Sequence, residues 1–470
     1  MKSRILLIQP DYPKNYHYGP KTQINLAPLG LEYIAAHVQD IAETRIYDNR
    51  PHNKKHLEDA IKKFMPNYIG ISCSFSHQVY HVNYIAKVAK EYGATTVVGG
   101  WHPTLATEDT LSSPWIDIIV RSEGELTFRE LIQKNSPVGV KGISYKNNGS
   151  FIHNPNRELM DLNELRLPAR YLSPKERRTK YTFFGIPMEC METSRGCPFS
   201  CKFCCIHNFY HHEYRVRTVP HIMAELREVQ KISSVVHFVD DNFIVYPKHV
   251  MDLCNSIIRE KLNMFFQTSA RVDSVLKYPQ VFERMAKAGF FALFVGLESF
   301  SDKTLKKLNK RFKFQQIKQG IKKLHELGFI IQGNIILGAD VDDTVEDLES
   351  TIELAKTLNL DLPTFSILIP YPQTELGKEL KEKGLLLKRS WRDYTWFTPI
   401  IKYNHLTSDQ VSNSLEKAYT EVPSSGNPSG RFLQFVRARG LSFFISRLGS
   451  RDFYRTVFAG IKNVIQNGGK

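Results

Sequence analysis

Short runs of valine, isoleucine, leucine and tyrosine punctuate the first 133 residues, at 4–9, 44–48, 68–73, 95–99 and 116–120. Between them apolar positions recur every three or four residues, the period of an amphipathic helix. Five strands, each followed by a helix, predict a doubly wound parallel sheet whose ligand lies at the carboxyl ends of the strands. The alternation then lapses. Residues 136–185 read as a connector, with a small hairpin turning at Asn147-Asn148-Gly149 and a polar, basic strap from 168 to 180. From 187 to 370 the alternation resumes, with strands expected at 188–193, 235–240, 264–270, 290–297, 330–337 and 364–369. Helical stretches at 220–231, 247–261, 278–288, 314–327 and 344–358 lie between these strands. Six parallel units make three-quarters of a barrel, and in such barrels the chemistry sits at the C-terminal ends of the strands. The expected organisation is α/β: a sheet domain over 1–135, a connector over 136–185, a partial barrel over 186–400 and a helical region over 401–470.

A length of 470 residues with 42% hydrophobic and 24% charged content is that of an ordinary multi-domain globular protein. The net charge of +15 suits nucleic acid, an anionic membrane surface or an acidic substrate, and does not choose among them. Met1 to Ile5 run directly into the first strand without an apolar signal core, and no window approaches the roughly 18 uninterrupted apolar residues of a spanning helix.

Chemistry concentrates after the first barrel strand, at Cys197-Pro198-Phe199-Ser200-Cys201-Lys202-Phe203-Cys204. Three thiolates on one short loop can hold three irons of a four-iron, four-sulfur cluster and leave the fourth iron open to a substrate or cofactor. The alternative is a closed zinc site with Cys190 or Cys205 as fourth thiolate, but zinc knots pair two CxxC-type hooks and no second hook exists here. The other four of the seven cysteines are scattered singly, which makes no disulfide framework. An oxygen-sensitive cluster then calls for a reducing compartment, the cytoplasm.

The loop and its setting resemble the radical S-adenosylmethionine (SAM) superfamily. The resemblance implies that Cys197, Cys201 and Cys204 hold the cluster, that the open iron chelates the amino and carboxylate groups of SAM, and that reductive cleavage yields a 5′-deoxyadenosyl radical. It sets Phe203 beside the adenine, Asp240 and Asp241 at the SAM amino group, and Arg271 at the SAM carboxylate or a substrate anion. Glu298 falls at the ribose hydroxyls, and Gln332 and Asn334 at the adenine. The plain alternative for these residues is a solvated strand end or a helix cap, for Asp241 in particular.

The loops that end the N-terminal strands read Ser72-Cys73-Ser74, Gly99-Gly100-Trp101-His102-Pro103-Thr104 and Arg121-Ser122-Glu123-Gly124-Glu125. Glycines admit a ligand close to the backbone, and helix N-termini receive phosphate. Together, ahead of a radical SAM loop, they are similar to the cobalamin-binding domain of class B radical SAM enzymes. The similarity implies that Ser72, Ser74, Gly99, Gly100, His102, Pro103, Thr104, Glu123, Gly124 and Glu125 surround the nucleotide tail and corrin. One element is missing. The DxHxxG motif that supplies an axial histidine in some cobalamin proteins is absent, and His17 and His102 do not fit it, which argues against a histidine-ligated cobalt. Domains of this fold that bind no corrin also occur.

The expected function is radical functionalisation of an unactivated C–H bond, with methylcobalamin transferring a methyl group to the resulting carbon radical. Cyclisation, coupling or oxidation without methyl transfer is the enzymatic alternative, and a corrin-binding sensor or carrier with a structural metal site the non-enzymatic one. Nucleic-acid modification is disfavoured by the lack of a recognisable RNA-binding barrel. The implied partners are an external electron donor such as ferredoxin or flavodoxin and a small hydrophobic substrate. The aromatic cluster from Trp391 to Phe397 reads either as a cover over the barrel's open side or as a packing patch. Past a hinge at 423–430, residues 431–470 combine excess positive charge with helical apolar spacing. Such a tail reads equally as a peripheral membrane contact and as a helix packed on its own barrel.

Overall fold

The computed structural model describes residues 2–11, 26–50, 54–173, 181–183 and 186–422. In the N-terminal half β1 (Arg4–Gln9), β2 (Glu43–Asp48), β3 (Tyr68–Ser72), β4 (Thr95–Gly99) and β5 (Ile118–Val120) run parallel in the order β2-β1-β3-β4-β5. Strand order reverses between β1 and β3, so the crevice beyond their carboxyl ends is where such sheets take a ligand. Period-two alternation divides the apolar residues between two faces. Ile5, Leu7 and Val97 pack under helices Leu29–Val38 and Glu125–Lys134, while Leu6, Ile8 and Val98 pack under Lys54–Phe64 and Val79–Glu91. The hairpin at the Asn148-Gly149 turn, β6 (Ile143–Asn147) and β7 (Ser150–His153), adds to the β5 edge in antiparallel fashion, so the first sheet continues past residue 135.

The second sheet begins with β8 (Thr182–Phe183) and β9 (Ile186–Met191). A separate antiparallel pair follows, β10 (Ser194–Gly196) and β11 (Tyr214–Val216). Then come β12 (Val235–Phe238), β13 (Phe265–Ala270), β14 (Phe290–Glu298), β15 (Ile330–Leu337) and β16 (Leu362–Ile367). Six of these strands, β9 and β12 to β16, are parallel neighbours in sequence order, with β8 antiparallel on the edge. This is the expected partial barrel. Phe238, Phe243, Phe266 and Phe290 stack in its core at centroid separations of 5.0 to 5.8 Å. β9 ends at Met191 rather than at 193, because the Thr193 amide leaves the ladder for the Asp240 carboxylate.

The C-terminal helix Ser408–Glu421 starts at a Thr407 cap and buries Val411, Leu415 and Ala418 in the barrel core. Before it, the aromatic cluster crosses to the N-terminal half. The Trp391 indole N–H donates to Asp109, its ring meets His102 edge-on at 4.7 Å, and Trp396 meets Phe75 edge-on at 5.1 Å. Among the described residues no helix is long and apolar enough to cross a membrane. The basic tail at 431–470 and His17 lie outside the described residues, as does much of the 168–180 strap.

Candidate active site

The cysteine loop hangs between β10 and β11, and side chains from the next strand end hold its base. Asp240, buried, accepts from the Thr193 amide at 3.0 Å and the Thr193 hydroxyl at 2.6 Å, and also from the Ser194 hydroxyl. Asp241 accepts from the Gly196 amide at 3.0 Å, and burial pushes its carboxyl up to about 7. Both carboxylates expected at the SAM amino group thus shape the turn that delivers Cys197. Gly196 has no substitute there: its φ is +90°, and a Cβ would stand 2.0 Å from the Glu213 carbonyl oxygen.

Within the loop the Cys204 amide donates to the Cys201 carbonyl at 3.0 Å. Asn242 Nδ2 stands 3.9 Å from Cys197 Sγ, and Arg271 Nη1 3.9 Å from Cys201 Sγ. Burial pushes the Cys197 and Cys204 thiols up, so a thiolate there calls for a bound cation. Among the described residues no three His, Cys, Asp or Glu side chains converge on one ion-sized point, and a cubane does not ask them to, since each thiolate takes a different iron. Three loop thiols backed by an amide and a guanidinium therefore fit an anionic four-iron cluster.

Arg271 is engaged beneath this loop. Its guanidinium pairs with both Asp273 oxygens at 3.0 and 2.9 Å, donates to the Lys310 carbonyl at 2.7 Å, and stacks on Phe199 at 3.8 Å. A second cation at the strand ends is Lys310, which sequence reasoning missed. Lys310 Nζ donates to Glu298 at 2.9 Å and stands 5.6 Å from the centre of the Phe203 ring. Burial alone would lower its pKa, but the Glu298 carboxylate holds it above the usual value. Lys310 sits in a run of lysines whose other members are mostly exposed, so no periodicity marked it out. Glu298 occupies a bulge with φ of +63°, a strained conformation of the kind found at functional sites, and also accepts from Asn334 at 3.3 Å. Phe203, Glu298, Lys310 and Asn334 are thereby brought together; Gln332 instead donates to Thr364 at 3.2 Å.

At the strand ends of the first sheet lies a cavity of about 240 Å³, walled by both halves of the chain. Ser72, Ser74, Gly99, Gly100, Glu123, Gly124 and Glu125 line it from the first sheet, with Gly30 and Phe128; Glu192, Arg195, Phe209, Tyr210 and Val239 line it from the barrel side. Gly30, Gly99, Gly100 and Gly124 are in its wall, which lets a flat ring system approach the main chain closely. His102, Pro103 and Thr104 are not in its wall. Thr104 ties two loops together, accepting from the Ser122 amide at 2.9 Å and donating to the Gly100 carbonyl at 2.8 Å. His102 is buried behind the loop, 2.9 Å from the Ser76 hydroxyl, and burial lowers it to about 3.

Glu123 and Glu125, expected around a cofactor, are engaged with arginines of the cluster domain that sequence reasoning also missed. Arg195 donates to Glu123 at 2.9 Å, to Glu125 at 2.6 Å and to Glu192 at 2.8 Å. Arg215 donates to Glu123 at 2.7 Å and to the Met160 carbonyl at 2.6 Å. Burial pushes Glu192 up to about 7.

A flavodoxin-ordered sheet docked on a six-strand partial barrel, with three thiols at the barrel's strand ends and a cavity between the halves, defines a radical SAM protein with a corrin-type domain. The comparisons agree. Residues 191–355 match the Radical SAM superfamily and residues 21–132 the B12 binding domain. The chain is 34% identical over 404 residues to an uncharacterized methyltransferase of Pyrococcus horikoshii, covering 83% of this chain and 86% of that one. It is 26% identical over 441 residues to the anaerobic magnesium-protoporphyrin IX monomethyl ester cyclase of Rubrivivax gelatinosus, covering 88% and 76%. With the hopanoid C-3 methylase of Methylococcus capsulatus it shares 28% over 370 residues, covering 76% and 69%. In fold it matches the cobalamin-dependent SAM radical enzyme OxsB, solved with aqua-cobalamin and SAM bound, with a TM-score of 0.72 at 17% identity over 99% of this chain and 75% of that one. The chain belongs to the cobalamin-dependent radical SAM family, enzymes whose cofactors are a four-iron, four-sulfur cluster, SAM and cobalamin.

Proposed function

We propose that the chain is a radical C-methyltransferase acting on a hydrophobic substrate of lipid or isoprenoid character. The observation that carries this reading is the cavity walled by both halves, which sets the ligand crevice of the first sheet against the side of the barrel that bears the cysteine loop. When bound, the cluster and SAM supply a radical that removes hydrogen from an unactivated C–H bond, and the corrin supplies a methyl group. The chain's own part is placement and exclusion of water. Asp240 and Asp241 hold the loop turn, the Lys310–Glu298 pair offers polar contacts at the strand ends, and Leu7, Val97, Phe128 and Tyr210 wall the crevice. Hopanoids and protoporphyrin esters, named for two of the relatives, are large and mostly apolar, which supports a substrate of that kind. The reducing electron comes from an external donor such as ferredoxin or flavodoxin, nucleic acid is not a partner, and the basic tail brings the enzyme to a membrane surface. A second reading, ring formation, coupling or oxidation without methyl transfer, draws on the similarity to the cyclase.

The test is anaerobic purification with cobalamin supplied. The desalted protein should show a corrin spectrum, form 5′-deoxyadenosine, and move isotope from methyl-labelled SAM into a lipid extract. Cys201→Ala should lose the cluster and with it 5′-deoxyadenosine formation and label transfer, while corrin binding in the first-sheet crevice is retained. Absence of retained corrin would end the methyl-transfer reading, and corrin with 5′-deoxyadenosine but no label in any lipid fraction would favour the second.

A further inference from the structure

The loop bearing Cys197, Cys201 and Cys204 is an excursion between β10 and β11, and its base is closed by two arginines. In the antiparallel register Arg195 stands directly opposite Arg215. Like charges directly opposite on paired strands repel. The repulsion is poorly screened here, because the two side chains are only 6% and 16% exposed. Nor does a ribbon of three residues a side hold itself together in water. Among the described residues of their own half, Arg195 has Glu192 and Arg215 has only the exposed Glu213 at 4.0 Å; the charge that meets both arginines comes from the other half of the molecule. Glu123, its side chain 7% exposed, accepts from Arg195 Nη1 at 2.9 Å and from Arg215 Nη1 and Nη2 at 3.1 and 2.7 Å. Glu125 and Glu192 reach Arg195, while Glu123 bridges both strands.

We propose that Glu123 is a positioning residue for the iron–sulfur loop. The N-terminal domain, which contributes none of the three thiols, supplies the carboxylate that cancels the Arg195–Arg215 repulsion and keeps the loop's base closed. The inference rests on Cys197, Cys201 and Cys204 being the cluster ligands. It assigns the Glu123-Gly124-Glu125 motif a duty to the other domain's cofactor, in addition to lining the crevice of its own.

Amide hydrogen exchange of the iron-free chain tests closure without reference to the cluster, and iron and sulfide content after anaerobic reconstitution and desalting tests its consequence. Glu123→Gln should speed exchange across residues 194–196 and 214–216 by tenfold or more and lose most of the iron. Arg215→Gln should keep both near the wild type. The double variant should recover much of what Glu123→Gln loses, because the repulsion it exposed is gone. Unchanged exchange and iron in Glu123→Gln would overturn the proposal. So would a double variant no better than the single, even if Glu123→Gln also loosens the first sheet. A wild-type chain with a protected hairpin that takes up no iron would remove the cluster reading and the positioning role with it.

Discussion

His102 belongs to a loop that the strand-end rule places beside a ligand, yet its ring turns the other way. Its Nδ1 meets the Ser76 hydroxyl, its Nε2 has no hydrogen-bond partner among the described residues, and Trp391 covers it. Burial lowers its pKa from 6.5 to about 3, so the folded state keeps it neutral where the unfolded chain would protonate it. A depressed pKa contributes stability above the unfolded value, and that stability is lost as pH falls through the folded value. The urea midpoint should therefore drop between about pH 6.5 and 3, and His102→Gln should show a shallower drop than the wild type over that window. Equal slopes would mean the ring is not protonated on unfolding. Gly100 makes a related point. With φ of +118°, a Cβ there would stand 2.7 Å from the Cys73 carbonyl oxygen, so a bulky residue would damage the sheet before it could report on a ligand.

Elements carry the ligand question better than that loop does. Helix Leu29–Val38 opens beside the cavity, and Gly30 in its first turn has nothing within 4 Å of where a Cβ would be. Gly30→Leu should fill the crevice while keeping or raising stability, since leucine is a better helix former than glycine by about 0.5–1 kcal/mol. The expected outcome is a lower corrin content with unchanged iron, read from absorption spectra and iron analysis of the same preparation. Corrin bound as in the wild type would place the cofactor elsewhere. At this scale the hydrophobic pattern was a good guide, since the eleven parallel strands it led us to expect are all present. Their ends differ by a residue or two where side chains such as Asp240 draw backbone amides out of the ladder. The β14 bulge was not legible, because a one-residue irregularity leaves no trace in an apolar run.

At the scale of the molecule, the two halves meet through buried charge and an aromatic strap. Arg195 and Arg215 join Glu123 at the cavity, and Trp391 pins the C-terminal segment to Asp109 and His102. The net charge of +15 acts on a larger scale again, and much of it falls on the tail beyond Gly430. If that tail is an anchor, the full-length chain should bind anionic vesicles with an affinity that falls as salt rises, each basic contact being worth about 1 kcal/mol. A chain truncated after Gly430 should stay soluble, keep its iron and ignore the vesicles. Loss of iron on truncation, with no vesicle binding by the full-length chain at any salt, would show the tail to be part of the barrel wall.

Sequence alone determined the two α/β units, the face on which their loops gather and the cysteine triad, because period, turn residues and ligand spacing are local properties of the chain. It also determined which loops reach a ligand crevice, since strand ends fix that by topology. Tertiary structure decided which way each side chain in those loops points. Asp240 became a turn-holder and Glu123 a bridge between arginines some 70 to 90 residues away in sequence, while Lys310 was drawn to Glu298. The physical reason is the cost of burying charge: a carboxylate or guanidinium removed from water must find its opposite wherever the fold supplies one, and that partner is set by docking in space.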